Sequence, residues 1–198
     1  MNRSKVEYYE IACQQILEED YSVFSIQWVV IPESYGQDFT PGELIRLYLA
    51  YIRFFTYPFV TPEVTPDGIE FRLLRTSHSM LKFDAPQHTG TPHGKKATLR
   101  ISGGFLVQQG QCDRGELDFI VEQVADGTKL TLQLSDYCPL LLGSLKPSLW
   151  RKWLYRLTQA YIHKVVTVRF LSRVHKKIVG YNAPVKVVRA KLRSGVNT

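Results

Sequence analysis

The 198-residue chain has no apolar run approaching the ~20 residues that a membrane-spanning helix needs. Its three cysteines, Cys13, Cys112 and Cys138, are scattered, and no C-x-x-C pair occurs. That excludes a disulfide framework and a zinc knuckle, and points to a reducing compartment, with the cytoplasm as the expected location. The opening residues lead into acidic side chains rather than an apolar stretch, so no secretory signal is read there. With 13 glycines and 10 prolines in no repeat, collagen-like and low-complexity classes fall away. A chain with 44% hydrophobic and 12% aromatic residues has the material for a real core.

The last absence is of one charge sign. Residues 146–198 contain 13 basic side chains and no Asp or Glu, a balance of +13, whereas residues 1–145 carry 12 basic and 18 acidic ones, a balance of −6. Two readings stay open. The last quarter meets an anionic partner (a membrane surface or a nucleic acid), or it is a solvated basic face that partly pairs with the acidic remainder.

Along the chain, Ser4-x-x-Glu7 is a capping-box pattern, and Val6, Tyr9, Cys13, Ile16 and Leu17 recur at helical spacing, which predicts a helix through about Leu17. Glu18-Glu19-Asp20 would then sit at the wrong end of its dipole, unless they meet positive charge such as the basic last quarter. Tyr21 to Ile31 reads as a strand. Thr40-Pro41-Gly42-Glu43 supplies an N-cap, a proline at the first helical position and a carboxylate in the first turn. The helix that follows, to about Phe55, is apolar nearly all round except for Arg46 and Arg53, which predicts burial.

Thr65-Pro66-Asp67-Gly68 is a turn, with a strand following through Ile69, Phe71 and Leu73. Met80 to Phe83 is a short strand, and Pro86 to Lys96 reads as a polar loop. Ala97 to Ile101 and Phe105 to Gln109 read as strands around Gly103-Gly104. Leu117, Phe119 and Val121, then Leu130, Leu132 and Leu134, alternate with polar residues on either side of Asp126-Gly127, a two-residue hairpin signature.

The longest predicted element is a helix from Pro147 to about Val179, closed by Gly180 and roughly 50 Å long if unbroken. Trp150, Trp153, Leu154, Leu157, Tyr161, Val165, Val168 and Leu171 form one stripe, the face expected on a sheet. A second stripe, Ile162, Val166 and Phe170, offers a face for another helix or for a second copy of the chain in a homodimer. Residues 1–180 thus read as one domain and 181–198 as a basic, partly disordered tail.

Chemistry-bearing patterns are sparse. Gly90 to Lys96 is one residue short of a phosphate loop and lacks the Ser/Thr after its lysine. His78, Asp84, His88 and His93 have no metal-ligand spacing, so no metal and no cofactor is expected. His175, near the end of the long helix, is explained as a cation complementing the dipole. Asp136, before Tyr137-Cys138-Pro139, is either a turn former or an acid at a pocket edge.

The order of hairpin, Pro-containing link and long amphipathic helix, from Gly115 to about Val174, resembles the C-terminal half of the START-like superfamily (polyketide cyclase-like, SRPBCC or helix-grip). The resemblance implies an α+β fold, a curved antiparallel sheet of about six strands gripped by the C-terminal helix, with a hydrophobic ligand between them. It carries over no catalytic residue. The N-terminal part departs from that layout, with a helix before the first strand and one clear helix after it. The expected function is binding of a hydrophobic small molecule or lipid, with Phe119, Leu132, Trp153, Leu157 and Tyr161 as walls and Tyr48 and Tyr51 at the mouth. The same aromatics would equally fill a solid core. Two other functions stand beside it: a cyclase- or hydratase-like enzyme using Asp136, and an interaction protein whose basic last quarter holds an anionic polymer or membrane.

Overall fold

In a computed structural model, the alternating apolar pattern of the chain resolves into one large sheet with its helices on a single face. The structure describes residues 8–20, 22–36, 39–74, 76–107, 114–139, 161–180, 184–194 and 196–197. Among them the strands are β1 (Tyr9–Leu17), β2 (Val23–Ile31), β3 (Val60–Thr65), β4 (Gly68–Leu73), β5 (Ser79–Asp84), β6 (Gln87–Thr91), β7 (Gly94–Gly103), β8 (Glu116–Val124), β9 (Gly127–Tyr137), β10 (Val185–Arg189) and β11 (Val196–Asn197). The helices are α1 (Glu33–Gly36), α2 (Pro41–Phe55) and α3 (Tyr161–Val179).

The sheet order is β10-β1-β2-β9-β8-β7-β5-β4-β3, with β6 added on β7 and β11 on β1. Every pairing is antiparallel except β1 with β10. Eleven strands replace the six expected, and the class is α+β as read. Two readings of the N-terminal part change. A strand, not a helix, precedes β2, and two helices separate β2 from β3.

The β8–β9 hairpin forms as its alternation predicts. Leu117, Phe119 and Val121 lie opposite Leu134, Leu132 and Leu130, and all six are buried. Its two-residue loop is Ala125-Asp126, one position earlier than expected, with Gly127 already paired to Val124. Pro66-Asp67 closes β3–β4 in the same way before Gly68. Pro62 sits in β3, the last strand on that side, where a missing N–H costs no ladder bond. On α2, the Thr40 hydroxyl accepts the Glu43 N–H at 3.2 Å, as the capping pattern requires.

Three expectations are corrected. Tyr9–Leu17 is a strand because both its faces are covered. Residues 11–16 are all buried, and in such a strand alternation gives way to a continuous run that also fits a helix. The basic tail carries β10 and β11, and the Gln14 side chain clamps it by accepting the Leu192 and Arg193 N–H groups at 2.7 and 3.0 Å and donating to the Arg193 carbonyl at 2.6 Å. Glu18 does meet the basic last quarter, in Arg193 at 3.0 Å, while Asp20 pairs with Arg114. The polar stretch 86–96 is a hairpin of β6 and β7 rather than a loop; β6 is an exposed ribbon, so nothing apolar marked it.

The long helix ends at Val179 as expected. Only its part from Tyr161 is described, and Trp150, Trp153, Leu154 and Leu157 lie outside the described residues. On α3 the buried side chains are Val166, Thr167, Phe170, Leu171, Val174 and His175, while Val165 and Val168 are half-buried. Of the stripe expected to meet either another helix or a second copy of the chain, Phe170 meets the other helix, α2, through Tyr48 and Tyr51, and Val166 is buried in the same core. The Ile162 side chain is outside the described residues.

Gly127 sets the register of this frame. Its φ of 134° is a glycine conformation, and an added Cβ would lie 2.2 Å from the Ile31 carbonyl oxygen. Gly127→Ala is expected to cost about 2–3 kcal/mol in urea unfolding, whereas Gly42→Ala, in open space on α2, should leave stability equal or raise it by up to about 1 kcal/mol.

Candidate ligand cleft between the two helices

α2 and α3 cover the same sheet face and touch through aromatic rings. Phe170 meets Tyr48 edge-on at 5.2 Å and Tyr51 at 5.7 Å, and Tyr48 in turn meets Phe119 of β8 at 5.4 Å. Above Phe170 the helices part and leave a cleft of about 730 Å³. Leu47, Tyr51 and Phe54 line it from α2, and Arg169, Arg173, Val174, Lys176 and Lys177 from α3.

The two walls differ in chemistry. The α2 wall is aromatic, with Tyr51 stacked on Phe55 at 5.5 Å. The α3 wall is cationic. The Arg173 guanidinium lies 4.6 Å from the Phe54 ring centroid and that of Arg169 lies 5.6 Å from Phe55, so the stems cover apolar surface while the charges stay available. Among the described residues no ion pair engages Arg169, Arg173, Lys176 or Lys177. Burial pushes the Tyr51 phenol up, against the pull of Arg169 and Arg173, so it remains a protonated donor at neutral pH.

Of the residues expected around a cavity between sheet and helix, Tyr51, expected at its mouth, lines this cleft between the helices. Tyr48 and Phe119 lie one layer beneath it and Leu132 is buried opposite Phe119, so these three form a packed floor. Trp153 and Leu157 are outside the described residues, as is the Tyr161 side chain. Phe54 and the basic wall were missed as site residues. The i, i+4, i+8 recurrence of Arg169, Arg173 and Lys177 was visible, but not the helix lying beside it.

The interior is not wholly apolar. Gln15, Ser25 and Gln27 are buried on the face that carries Ile11 and Val29. Gln27 Nε2 donates to Ser25 Oγ at 2.7 Å, and Ser25 Oγ donates to Gln15 Oε1 at 3.4 Å. Gln27 Oε1, Thr167 Oγ1 and both ring nitrogens of His175 find no hydrogen-bond partner among the described residues. His175 packs on the Tyr9 ring at 4.4 Å, and burial pulls its imidazole below the usual range. It is therefore neutral, which corrects its reading as a cation on the helix dipole.

The remaining candidates lie elsewhere. Asp136, at φ 52°, is the extra residue where β9 shifts register on β2, and its carboxylate lies 3.8 Å from Arg114, away from the cleft. Among the described residues no three His, Cys, Asp or Glu side chains gather as metal ligands, and His78, Asp84 and His93 form no cluster with His88. His88 lines a smaller cleft of about 470 Å³ with Thr40 and Lys95. Cys13 and Cys138 are buried thiols, as expected, and Cys112 is outside the described residues. No helix among the described residues is long and apolar enough to cross a membrane.

No family model matches the chain, and no curated protein matches it. Among solved structures, the crystal structure of CalU16 from Micromonospora echinospora is similar at 15% identity and a TM-score of 0.36, covering 89% of this chain and 94% of that one. Its solution NMR structure is similar at 16% identity and a TM-score of 0.40, covering 89% and 78%. At these scores the likeness decides neither topology nor function.

A buried imidazole that must stay neutral ties stability to pH. With its pKa lowered in the fold, His175 destabilises the folded protein as pH falls through the unfolded value of about 6.5, and the loss stops growing below the depressed folded value. His175→Leu should flatten that slope, so urea midpoints of wild type and variant measured from about pH 7.5 to 5 should diverge toward acid in the variant's favour.

Proposed function

We propose that the chain is a helix-grip protein that binds an amphiphilic small molecule, with an apolar body and an acidic head group, in the cleft between α2 and α3. The observation that carries this reading is the pairing of an aromatic wall with a wall of four cations in one concave site. The order β2, α1–α2, a run of antiparallel strands and then α3 supports the frame.

The energetics ask for both halves of such a ligand. Each methylene buried against Leu47, Phe54 and Phe170 contributes about 0.8 kcal/mol, and a carboxylate on a guanidinium about 1.5–3 kcal/mol. Against the cost of association, neither part alone gives tight binding. A purely apolar ligand would leave the cations unmatched, and a purely ionic one would leave the rings wet. Among the described residues no carboxylate or imidazole lines the cleft, and Asp136 pairs with Arg114 elsewhere, which supports binding rather than acid–base chemistry through Asp136.

Titration with a fluorescent long-chain fatty acid, alongside its methyl ester, checks the reading. The acid is expected to bind at least about 10-fold tighter than the ester, and Arg169→Glu with Arg173→Glu to erase that preference. Equal binding of acid and ester, unchanged in the double variant, would sink it.

A further inference from the structure

Beside the cleft, apolar side chains stand out of the protein rather than in it. Phe54 is 67% exposed, Tyr57 66%, Phe59 61% and Leu74 50%. They occupy one corner, where α2 ends, β3 begins and β4 finishes. The Leu74 N–H donates to the Phe59 carbonyl at 2.8 Å, and the Thr56 hydroxyl donates to the Val60 carbonyl at 3.2 Å. Leu74 holds a φ of 47°, a left-handed conformation that favours glycine or asparagine, yet it presents a half-exposed isobutyl group there.

The corner is rimmed by one charge sign. Arg53 ends α2, and Arg169, Arg173, Lys176 and Lys177 follow along α3. α3 has no acidic residue, and the one carboxylate of α2, Glu43, lies in its first turn, about 16 Å from Phe54 along the axis. Glu63 and Glu70 on the neighbouring strands are matched by Arg72, and Glu70 also by Lys82.

We propose that this corner docks on an anionic lipid bilayer, with Tyr57, Phe59 and Leu74 entering the interfacial layer and the five cations lying on lipid head groups. Aromatic rings partition to that depth, and Lys and Arg beside them gain from the negative surface potential. A second copy of the chain fits worse, because its matching face would set cations against cations. Single-stranded nucleic acid would use ring faces but gives an aliphatic Leu74 nothing to read. Phe54 and Arg173 belong to both corner and cleft, so docking turns the cleft mouth toward the bilayer. The docking stands whether or not the cleft holds a ligand.

The test is flotation of the full chain with phosphatidylcholine vesicles, with and without about 30% phosphatidylserine, at about 0.1 M and 0.5 M salt. Expected is binding at least about 10-fold tighter to the anionic vesicles and weakened by salt. Phe59→Ser with Leu74→Ser, both outside the cleft, should lower it about 10-fold while the thermal midpoint and fatty-acid titration stay unchanged. A Phe59→Trp variant should show a blue-shifted difference spectrum on anionic vesicles. Absence of flotation, flotation unchanged in the double serine variant, or a dimer that this variant dissolves would each overturn the proposal. So would oligonucleotide binding without vesicle binding. Failure of the fatty-acid titration with vesicle binding intact would remove the cleft reading and leave the docking standing.

Discussion

The contact on which the arrangement depends is the one between Phe170 and the two tyrosines of α2. Phe170 is 1% exposed, meets Tyr48 edge-on, and through Tyr48 reaches Phe119 in the middle of the sheet. Edge-to-face rings lock two helices at a fixed separation, since close-packed aromatics tolerate little sliding. That separation is what lets the helices part just above, so the cleft is a consequence of where the packing stops. Removing the ring would take away both the floor of the cleft and the reason for its shape.

A second constraint runs along the β1 edge. Gln14 spends both ends of its amide on the backbone of residues 192 and 193, and Arg193 lies 4.0 Å over the Phe24 ring while pairing with Glu18. The C-terminal segment thereby covers the outer cluster of Ile16, Phe24 and Ile26. Part of the positive excess of the last quarter is thus structural. The part on α3 is not so matched, and it gathers on the aromatic end of α2. Charge asymmetry in this chain serves two different ends, and only position separates them.

Local chemistry made some of this legible in advance. Thr40-Pro41 predicts where α2 begins because an N-cap acts within three residues, and the β8–β9 alternation predicts its face because a half-covered sheet imposes period two. Tyr51, expected at the mouth of a cavity between sheet and helix, instead lines a cleft between two helices. Elements covered on both faces, such as β1, or on neither, such as β6, lose that period, and both were misread. Arg169 and Arg173 were seen as a polar face of α3, which is correct about their exposure and silent about their neighbour.

Residue order alone gives the α+β class, the capped helix, the hairpin at Asp126-Gly127, the turn at Asp67-Gly68 and a last quarter free of acids, because each follows from interactions a few residues long or from composition. Tertiary structure decided that Val166 and Phe170 face inward, that the basic tail closes a sheet edge, and that aromatic and cationic walls face one another. Those outcomes rest on pairings between residues more than a hundred positions apart, where the free energy belongs to the contact and not to either segment alone.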